Sequence, residues 1–249
     1  LFSQHFCDLF LRELDNFQAF SINEGPGPRL GPNSMLKYGT ELDQMGMRPM
    51  LTRLRQEVLQ PIARLLFPDA GAEFDDHYAF NVQFGGERGD SGLDMHSDDS
   101  DVTFNICLGG DFEDAWITFC GDIDGPDHRQ FAFRYQHHRG RAVTHLGKQR
   151  HGVDAIGDVG ERHNLIIWNK NQAYREQAPK YPREQAPPDP RCLSYTNDRD
   201  FAAFKEYPKG TEHFEHTAWC PLQETCYTSM ASVFETLEQR RASRVKLEL

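Results

Sequence analysis

The chain has 249 residues, with 27 Lys and Arg against 38 Asp and Glu, which gives a formal net charge of −11. This excess of acidic residues argues against a nucleic acid or an anionic membrane as the main partner. No uninterrupted apolar run approaches the roughly 20 residues that cross a bilayer, so the sequence excludes a membrane span. The length suits one or two domains, and a single β barrel often reaches this size.

Six cysteines occur without a CxxC pair, so their spacing favours neither a zinc ribbon nor a dense disulfide framework. We therefore predict mostly reduced thiols and leave open whether Cys220 and Cys226 form a disulfide. An intracellular location, nuclear or cytoplasmic, is favoured, although the residues do not fix the compartment. The sequence opens at Leu1 rather than Met, so we expect that the native N-terminus has been removed or lies upstream, and a signal or transit peptide would not be visible in these residues.

Two amphipathic helices are predicted in the first third of the chain. The first covers residues 3–20, and its apolar stripe consists of Phe6, Leu9, Phe10 and Leu14. Such spacing is typical of a helix with one face on a core. Residues 47–67 carry a similar pattern, and Pro61 predicts a bend because it lacks the amide that its turn would use.

The hydrophobic period changes from about residue 74 onward to that of short strands. Predicted strands lie at 77–84, 102–108, 116–120, 141–145 and 164–168, between Gly and Asp turns. Short strands that follow helices predict a mainly β fold, either a barrel or a sandwich, with supporting helices.

The remainder of the chain has a different character, because residues 171–219 are rich in proline and contain the letters REQAP twice. We interpret this stretch as an irregular wrap and not as a second domain. A C-terminal helix is predicted at 228–245. The expected organisation is therefore one domain, with helices and the β core in 1–170 and the Pro-rich wrap and last helix in 171–249.

A short polar motif precedes the second predicted strand and suggests metal chemistry. His96-Ser97-Asp98 puts two metal-binding side chains at positions i and i+2, which point to the same face of an extended chain. A histidine from a distant strand would complete two histidines and one carboxylate, a set that leaves positions open on Fe(II). The candidates for that third ligand are His145 and His151.

A hairpin argument favours His151. If residues 157–160 form a four-residue loop, position 151 pairs with 166 and position 155 with 162, and cross-strand partners share a face. Arg162 would then face the same side as His151, offset by roughly 13 Å of strand. A small dicarboxylate spans such a gap, with one end on the metal and the other on a bidentate guanidinium. A loop one residue longer or shorter would invert this parity.

His96, Asp98, His151 and Arg162 resemble the ligand set of the iron- and 2-oxoglutarate-dependent dioxygenases, in particular the prolyl 4-hydroxylase-like branch. The similarity is closer to the eukaryotic 2-oxoglutarate and iron-dependent oxygenase domain-containing proteins. The segments that carry it are NSMLKYGTELDQMG (33–46), LFPDAG (66–71), HSDDSDVTFNICLGGDFE (96–113), YQHHRGRAVTHLGKQRHGV (135–153) and GERHNLIIWNK (160–170).

The resemblance implies a double-stranded β-helix, or jelly roll. The metal ligands that it implies are His96, Asp98 and His151. The cosubstrate contacts that it implies are Arg162, on the distal carboxylate of 2-oxoglutarate, and the pocket-lining side chains of Thr103, Asn105 and Cys107. The residues between them are then expected to pack outward against the second layer: Val102, Phe104, Ile106 and Leu108.

The resemblance further implies hydroxylation of a protein or peptide side chain, coupled to decarboxylation of 2-oxoglutarate to succinate. Fe(II), 2-oxoglutarate and O₂ are the implied requirements, and ascorbate stays open. Relatives that halogenate have a small residue in place of Asp98, so halogenation is not expected. Two alternatives remain, namely N-methyl-lysine demethylation by the same chemistry and a catalytically silent binding module of the same fold.

This chain departs from the family pattern at two places. Phe84 stands where many relatives have a tyrosine, which removes a hydrogen bond that a hydroxyl group would give the cosubstrate. Asp114-Ala115 stands where relatives often have Gly-Gly. Neither difference touches the implied metal ligands, so the expected effect is on substrate preference.

Overall fold

A computed structural model describes residues 1–23, 32, 36, 38–85, 92–110, 112, 116–123, 125, 127–128, 130–154, 160–177 and 192. The predicted helix at 228–245 and most of the Pro-rich stretch at 171–219 lie outside these residues. Within the described part of the chain, no helix combines the length and the apolar character needed to cross a membrane.

The first helix is confirmed, and it extends over Gln4–Asn23 (α1). Ser3 caps its start, because the Ser3 hydroxyl accepts a hydrogen bond from the Phe6 amide at 3.1 Å. The predicted stripe is only partly correct. Phe10 and Leu14 are buried, but Leu9 is 46% exposed and Cys7 takes its place on the core side.

The second predicted helix is interrupted by a wide turn. Arg48–Leu54 (α2) and Gln60–Leu66 (α3) flank a π-helical turn over Arg55–Leu59. Pro61 gives the physical reason, since it has no amide to donate into the preceding turn. Arg55 of the wide turn is buried and donates to the Phe74 carbonyl at 3.0 Å.

Nine strands of the described residues form two sheets. Their bounds are Gly39–Glu41 (β1), Asp76–Gly85 (β2), Leu93–His96 (β3), Val102–Gly109 (β4), Trp116–Asp122 (β5), Phe131–Gln136 (β6), Ala142–Leu146 (β7), Gln149–Val153 (β8) and Glu161–Lys170 (β9). The sheets have the antiparallel orders β1-β2-β9-β4-β7 and β3-β8-β5-β6. Apart from the pairs β1–β2 and β5–β6, strands that follow one another along the chain lie in different sheets, which makes the fold a jelly roll, or double-stranded β-helix.

The pairing of β8 and β9 shows that the predicted hairpin is wrong. β8 pairs with β3 and β5, whereas β9 pairs with β2 and β4 in the other sheet. His151 is the register partner of His96 and Phe119, and Arg162 is the partner of Phe84. Position 155 lies outside the described residues.

The alternation of β4 separates the helical layer from the interior between the sheets. As expected, one face of β4 joins the core that packs on α1, α2 and α3, and its members are Val102, Phe104, Ile106 and Leu108. The opposite face points between the two sheets, and the core there includes Phe80, Val82, Phe119 and Ile166.

One disulfide bond, between Cys120 on β5 and Cys192, contradicts the reduced-thiol prediction for that pair. The distance of 72 residues along the chain left no spacing signal for this bond. Cys7 and Cys107 are free and buried, as predicted for most of the thiols. Cys220 and Cys226 lie outside the described residues.

Candidate metal centre

Two histidines and one aspartate converge at one end of the interior between the sheets. His96 is the last residue of β3, Asp98 follows two positions later, and His151 is the register partner of His96 on β8. One ligand atom from each of the three lies within 4.8 Å of the others. Asp98 Oδ1 is 3.4 Å from His96 Nε2 and 3.6 Å from His151 Nε2, and at most 10% of any of these side chains is exposed.

Hydrogen bonds to the backbone fix which nitrogen of each ring can bind a metal. His96 Nδ1 lies 2.7 Å from the Asp94 carbonyl and His151 Nδ1 lies 3.0 Å from the Gln149 carbonyl. A carbonyl oxygen only accepts hydrogen bonds, so each Nδ1 is the protonated nitrogen and each neutral ring has its lone pair on Nε2. Metal-binding histidines in proteins are held in this way.

Asp98 is held with one oxygen toward the histidines. Thr103 Oγ1 donates to Asp98 Oδ2 at 2.6 Å, and Ser100 Oγ lies 2.6 Å from Thr103 Oγ1. The Asp98 amide donates to the Gly147 carbonyl at 2.9 Å. Asp98 Oδ1 is left to serve as the metal ligand, so Thr103, predicted to line the cosubstrate pocket, also positions a predicted ligand.

Burial lowers the pKa of His151 to about 3, although the Asp98 carboxylate acts in the opposite direction. The ring is therefore neutral near pH 7, as metal binding requires. Burial acts to raise the pKa of Asp98, but the neighbouring imidazoles outweigh it and the pKa is lowered overall. The neutral imidazole of His151, the Nε2 atom of His96 and one ionised carboxylate with one oxygen available fit the ligand preference of Fe(II).

A cavity of about 170 Å³ opens beside these ligands. Its lining includes Leu36, Phe80, Val82, Phe84, Leu93, His96, Ser97, Asp98, Asp99, Thr103, Asn105, His151, Val153, Ile166 and Trp168. Eight of these fifteen residues are apolar, and the polar ones besides the predicted metal ligands are Ser97, Asp99, Thr103 and Asn105. The indole N–H of Trp168 is buried and has no hydrogen-bond partner among the described residues, which makes it an available donor.

Arg162 is fully buried on the face of β9 that also carries Ile166 and Trp168. Its guanidinium carbon lies 4.9 Å from the ring centre of Phe84 and 5.8 Å from that of Phe112. Burial lowers the pKa of Arg162 to about 10, so the group still carries its charge at neutral pH. Arg162 does not itself line the cavity; Phe84, its register partner, does.

The other two predicted cosubstrate contacts have different surroundings. Asn105 lines the cavity, and its Oδ1 accepts a hydrogen bond from Asn164 Nδ2 at 2.7 Å. Cys107 is fully buried and is not among the lining residues, and burial raises the pKa of its thiol to about 11. A neutral thiol in that position contributes no charge to a pocket for an anion.

The rival ligand His145 also lies at this centre. Its Nε2 is 3.8 Å from Asp98 Oδ2, and its ring centre is 4.4 Å from that of His151. His145 and His151 are alternatives by sequence spacing, whereas the fold brings both to the carboxylate of Asp98. The apolar wall of Leu36, Leu93 and Val153 was not predicted, and the departure at 114–115 lies outside the described residues.

Comparison with known proteins gives these residues a family context. The OGFOD2-like domain matches residues 1–72. The 2-oxoglutarate and iron-dependent oxygenase domain-containing protein CP2 of Arabidopsis thaliana is 36% identical over 177 residues, which are 69% of this chain and 44% of that protein. The human 2-oxoglutarate and iron-dependent oxygenase domain-containing protein 2 is 34% identical over 177 residues, which are 70% of this chain and 49% of that protein.

Solved structures with a similar fold share little sequence. The carbocyclase SnoK of nogalamycin biosynthesis, described as non-heme and alpha ketoglutarate dependent, has a TM-score of 0.49 and 12% identity, covering 75% of this chain and 87% of its own. A prolyl-4-hydroxylase of Pseudomonas putida has a TM-score of 0.40 and 13% sequence identity, and the match covers 68% of this chain and 88% of the hydroxylase chain. The chain spans about half the length of the curated relatives. Residues 1–72 are similar to the OGFOD2-like domain, and the chain is homologous to the 2-oxoglutarate and iron-dependent oxygenase domain-containing proteins.

Proposed function

We propose that this protein is an Fe(II)- and 2-oxoglutarate-dependent oxygenase that hydroxylates a protein or peptide side chain and releases succinate. The observation that carries the proposal is the convergence of His96, Asp98 and His151, with both Nε2 lone pairs and one carboxylate oxygen directed at a common point. The homologous proteins are named for the same two requirements, iron and 2-oxoglutarate.

Each residue has a specific part in this proposal. His96, Asp98 and His151 hold the metal, and Thr103 keeps Asp98 in place through its 2.6 Å hydrogen bond. Bound Fe(II) supplies the O₂ chemistry that no side chain provides. Arg162 binds the distal carboxylate of 2-oxoglutarate, because its planar guanidinium donates two parallel hydrogen bonds to a carboxylate.

The charges at the cavity favour hydroxylation over demethylation of a cationic lysine. Asp98 and Asp99 are the carboxylates among the described lining residues. Asp98 is assigned to the metal, and Asp99 is held in ion pairs with Lys170 at 3.0 Å and Arg175 at 2.9 Å. A methylammonium group would therefore meet no uncommitted carboxylate among those residues, while a neutral C–H group suits the apolar wall.

The test is 2-oxoglutarate turnover by the Fe(II)-loaded protein with peptides that contain proline, lysine or methyl-lysine, followed by mass spectrometry of the peptides. Insertion of one oxygen atom adds about 16 Da, and loss of a methyl group removes about 14 Da; no chlorine should be gained, because Asp98 fills the position that a halide needs. The control is the double variant His96→Ala/Asp98→Ala.

The outcomes separate the alternatives. A gain of about 16 Da with wild type alone supports hydroxylation, and a loss of about 14 Da supports the demethylase instead. Equal peptide modification by wild type and the double variant would contradict the proposed site. Peptide binding by a protein that never consumes 2-oxoglutarate would favour the silent binding module.

A further inference from the structure

A closed chain of buried polar contacts links the backbone of β4, one histidine and the side chains of two asparagines. It starts at the carbonyl oxygen of Asn105, which lies 3.1 Å from His137 Nε2. His137 Nδ1 lies 3.2 Å from Asn164 Nδ2, which also donates to Asn105 Oδ1 at 2.7 Å. His137, Asn105 and Asn164 are 2%, 5% and 0% exposed, so these contacts are largely shielded from water.

Each contact in this chain fixes the orientation of the next group. A carbonyl oxygen only accepts hydrogen bonds, so the proton of the His137 ring is on Nε2 and Nδ1 is an acceptor. Burial and the nearby charge of Arg162 lower the pKa of His137 to about 3, so no second proton occupies Nδ1 near neutral pH. The group that faces Nδ1 must therefore donate, which places the NH2 group of Asn164 there. That NH2 group in turn faces the oxygen, and not the nitrogen, of the Asn105 amide.

The side chain of Asn105 consequently has a defined orientation at the cavity that it lines. Asn164 occupies its oxygen, and no described residue makes a hydrogen bond to its Nδ2, so the NH2 group is an available donor. Thr103, whose hydroxyl holds Asp98, is two residues away on the same face of β4. Arg162 is two residues from Asn164 on the same face of β9. Asn105 therefore lies between the metal ligands and Arg162, the two ends at which 2-oxoglutarate is expected to bind.

We propose that Asn105 donates a hydrogen bond from its NH2 group to a carboxylate oxygen of 2-oxoglutarate, and that Asn164 and His137 are positioning residues for this donor. The inference rests on the proposed function, because it concerns the cosubstrate of that reaction. Without Asn164, the Asn105 amide can turn and present its oxygen to the cavity, and an amide oxygen repels a carboxylate. Asn164 and His137 are not among the lining residues, so they act on a ligand that they do not touch.

The first experiment is calorimetric titration of the Mn²⁺-loaded protein with 2-oxoglutarate. Asn164→Ala removes both contacts of its NH2 group and should raise the Kd about 10- to 100-fold, the range for loss of a hydrogen bond to a charged group. The matched control is Asn169→Ala, because Asn169 is also 0% exposed and on β9 but lies on the opposite face. Its NH2 group bonds to the carbonyls of Val102 and Ile167, so the control should keep the wild-type Kd.

A double-mutant cycle separates positioning from general damage to the fold. If Asn164 acts through Asn105, the Asn164→Ala change should alter the Kd less than about twofold in a protein that already carries Asn105→Ala. Equal effects of Asn164→Ala in both backgrounds, or no effect in either, would overturn the inference and leave the proposed function intact. Wild type that binds no 2-oxoglutarate would contradict the proposed function itself.

Nitrogen NMR of the metal-free protein tests the first contact of the chain without metal or cosubstrate. The chemical shift of an imidazole nitrogen depends on whether it carries the proton, so the spectrum identifies the tautomer of His137. We expect the proton on Nε2 in wild type near neutral pH, because the Asn105 carbonyl accepts there. A proton on Nδ1 would overturn the inference even if wild type binds 2-oxoglutarate.

Discussion

Replacing Arg162 with methionine should stabilise the ligand-free protein while weakening 2-oxoglutarate. Burial lowers the pKa of Arg162 to about 10, and at about 1.36 kcal/mol per pKa unit the lost solvation of the cation costs the folded state about 3 kcal/mol. Contacts with the rings of Phe84 and Phe112 are among the interactions that offset this cost, and they return about 1–2 kcal/mol. Arg162→Met should therefore raise the free energy of unfolding by at most about 2 kcal/mol.

Binding of the cosubstrate should change in the opposite direction. Loss of one partner of a buried charged pair costs about 2–4 kcal/mol, so the Kd for 2-oxoglutarate should rise by about 30- to 1,000-fold. Urea denaturation of the metal-free protein and calorimetric titration of the Mn²⁺-loaded protein measure the two effects. Arg162→Lys, which keeps the charge without the planar fork, should bind more weakly than wild type.

Arg162 is expected to lower the stability of the ligand-free fold and to strengthen the binding of 2-oxoglutarate. An unchanged Kd in Arg162→Met would refute the carboxylate role. A loss of more than about 2 kcal/mol in the free energy of unfolding would show instead that the cation holds the fold together.

Three other perturbations address separate features. Thr103→Val removes the hydroxyl group that donates a hydrogen bond to Asp98 Oδ2. A competition titration should show Co²⁺ binding weakened about 10-fold or more. An unchanged Co²⁺ affinity would show that Asp98 binds the metal without this hydrogen bond. Burial lowers the pKa of His137 to about 3, so the unfolded chain binds more protons below its usual pKa of about 6.5 and stability falls as the pH drops from there towards 3. The loss attributable to His137 should be about 2 kcal/mol between pH 7 and 5 and should be absent from the urea denaturation curves of His137→Gln; an equal pH dependence in both proteins would contradict it. Reduction of the Cys120–Cys192 disulfide should lower the free energy of unfolding by about 2–4 kcal/mol. The visible absorption spectrum of bound Co²⁺ should stay unchanged. A change in that spectrum on reduction would show that the disulfide affects the metal centre.

Apolar runs made the long strands predictable from the sequence. β2, β4 and β9 each contain a predicted strand because their side chains pack on both faces and the runs are rich in apolar residues. β8 contains no apolar run, since Gln149, Arg150 and His151 come first, so the hydrophobic pattern does not predict it. His151 is still a candidate ligand from the sequence, because the segment around it resembles the oxygenase family whether or not a strand is predicted there.

Arg162 was placed on the correct side by an incorrect argument. The hairpin parity put Arg162 and His151 on one face of one sheet, whereas they lie on different sheets whose faces enclose the same interior. Local spacing cannot distinguish these arrangements, because a jelly roll sends consecutive strands to opposite sheets. The approach of His145 to Asp98 and the Cys120–Cys192 bond depend on that topology too, so no local pattern predicted them.

The most direct test of the central claim is the visible absorption of the anaerobic Fe(II)-loaded protein during titration with 2-oxoglutarate. A 2-oxoacid that chelates Fe(II) gives a weak charge-transfer band, so wild type should develop this band and saturate. Pyruvate, which lacks the distal carboxylate, should bind far more weakly because Arg162 has no group to pair with. A titration that produces no band in wild type, or an equal band in His96→Ala/Asp98→Ala, would contradict the assignment of the site.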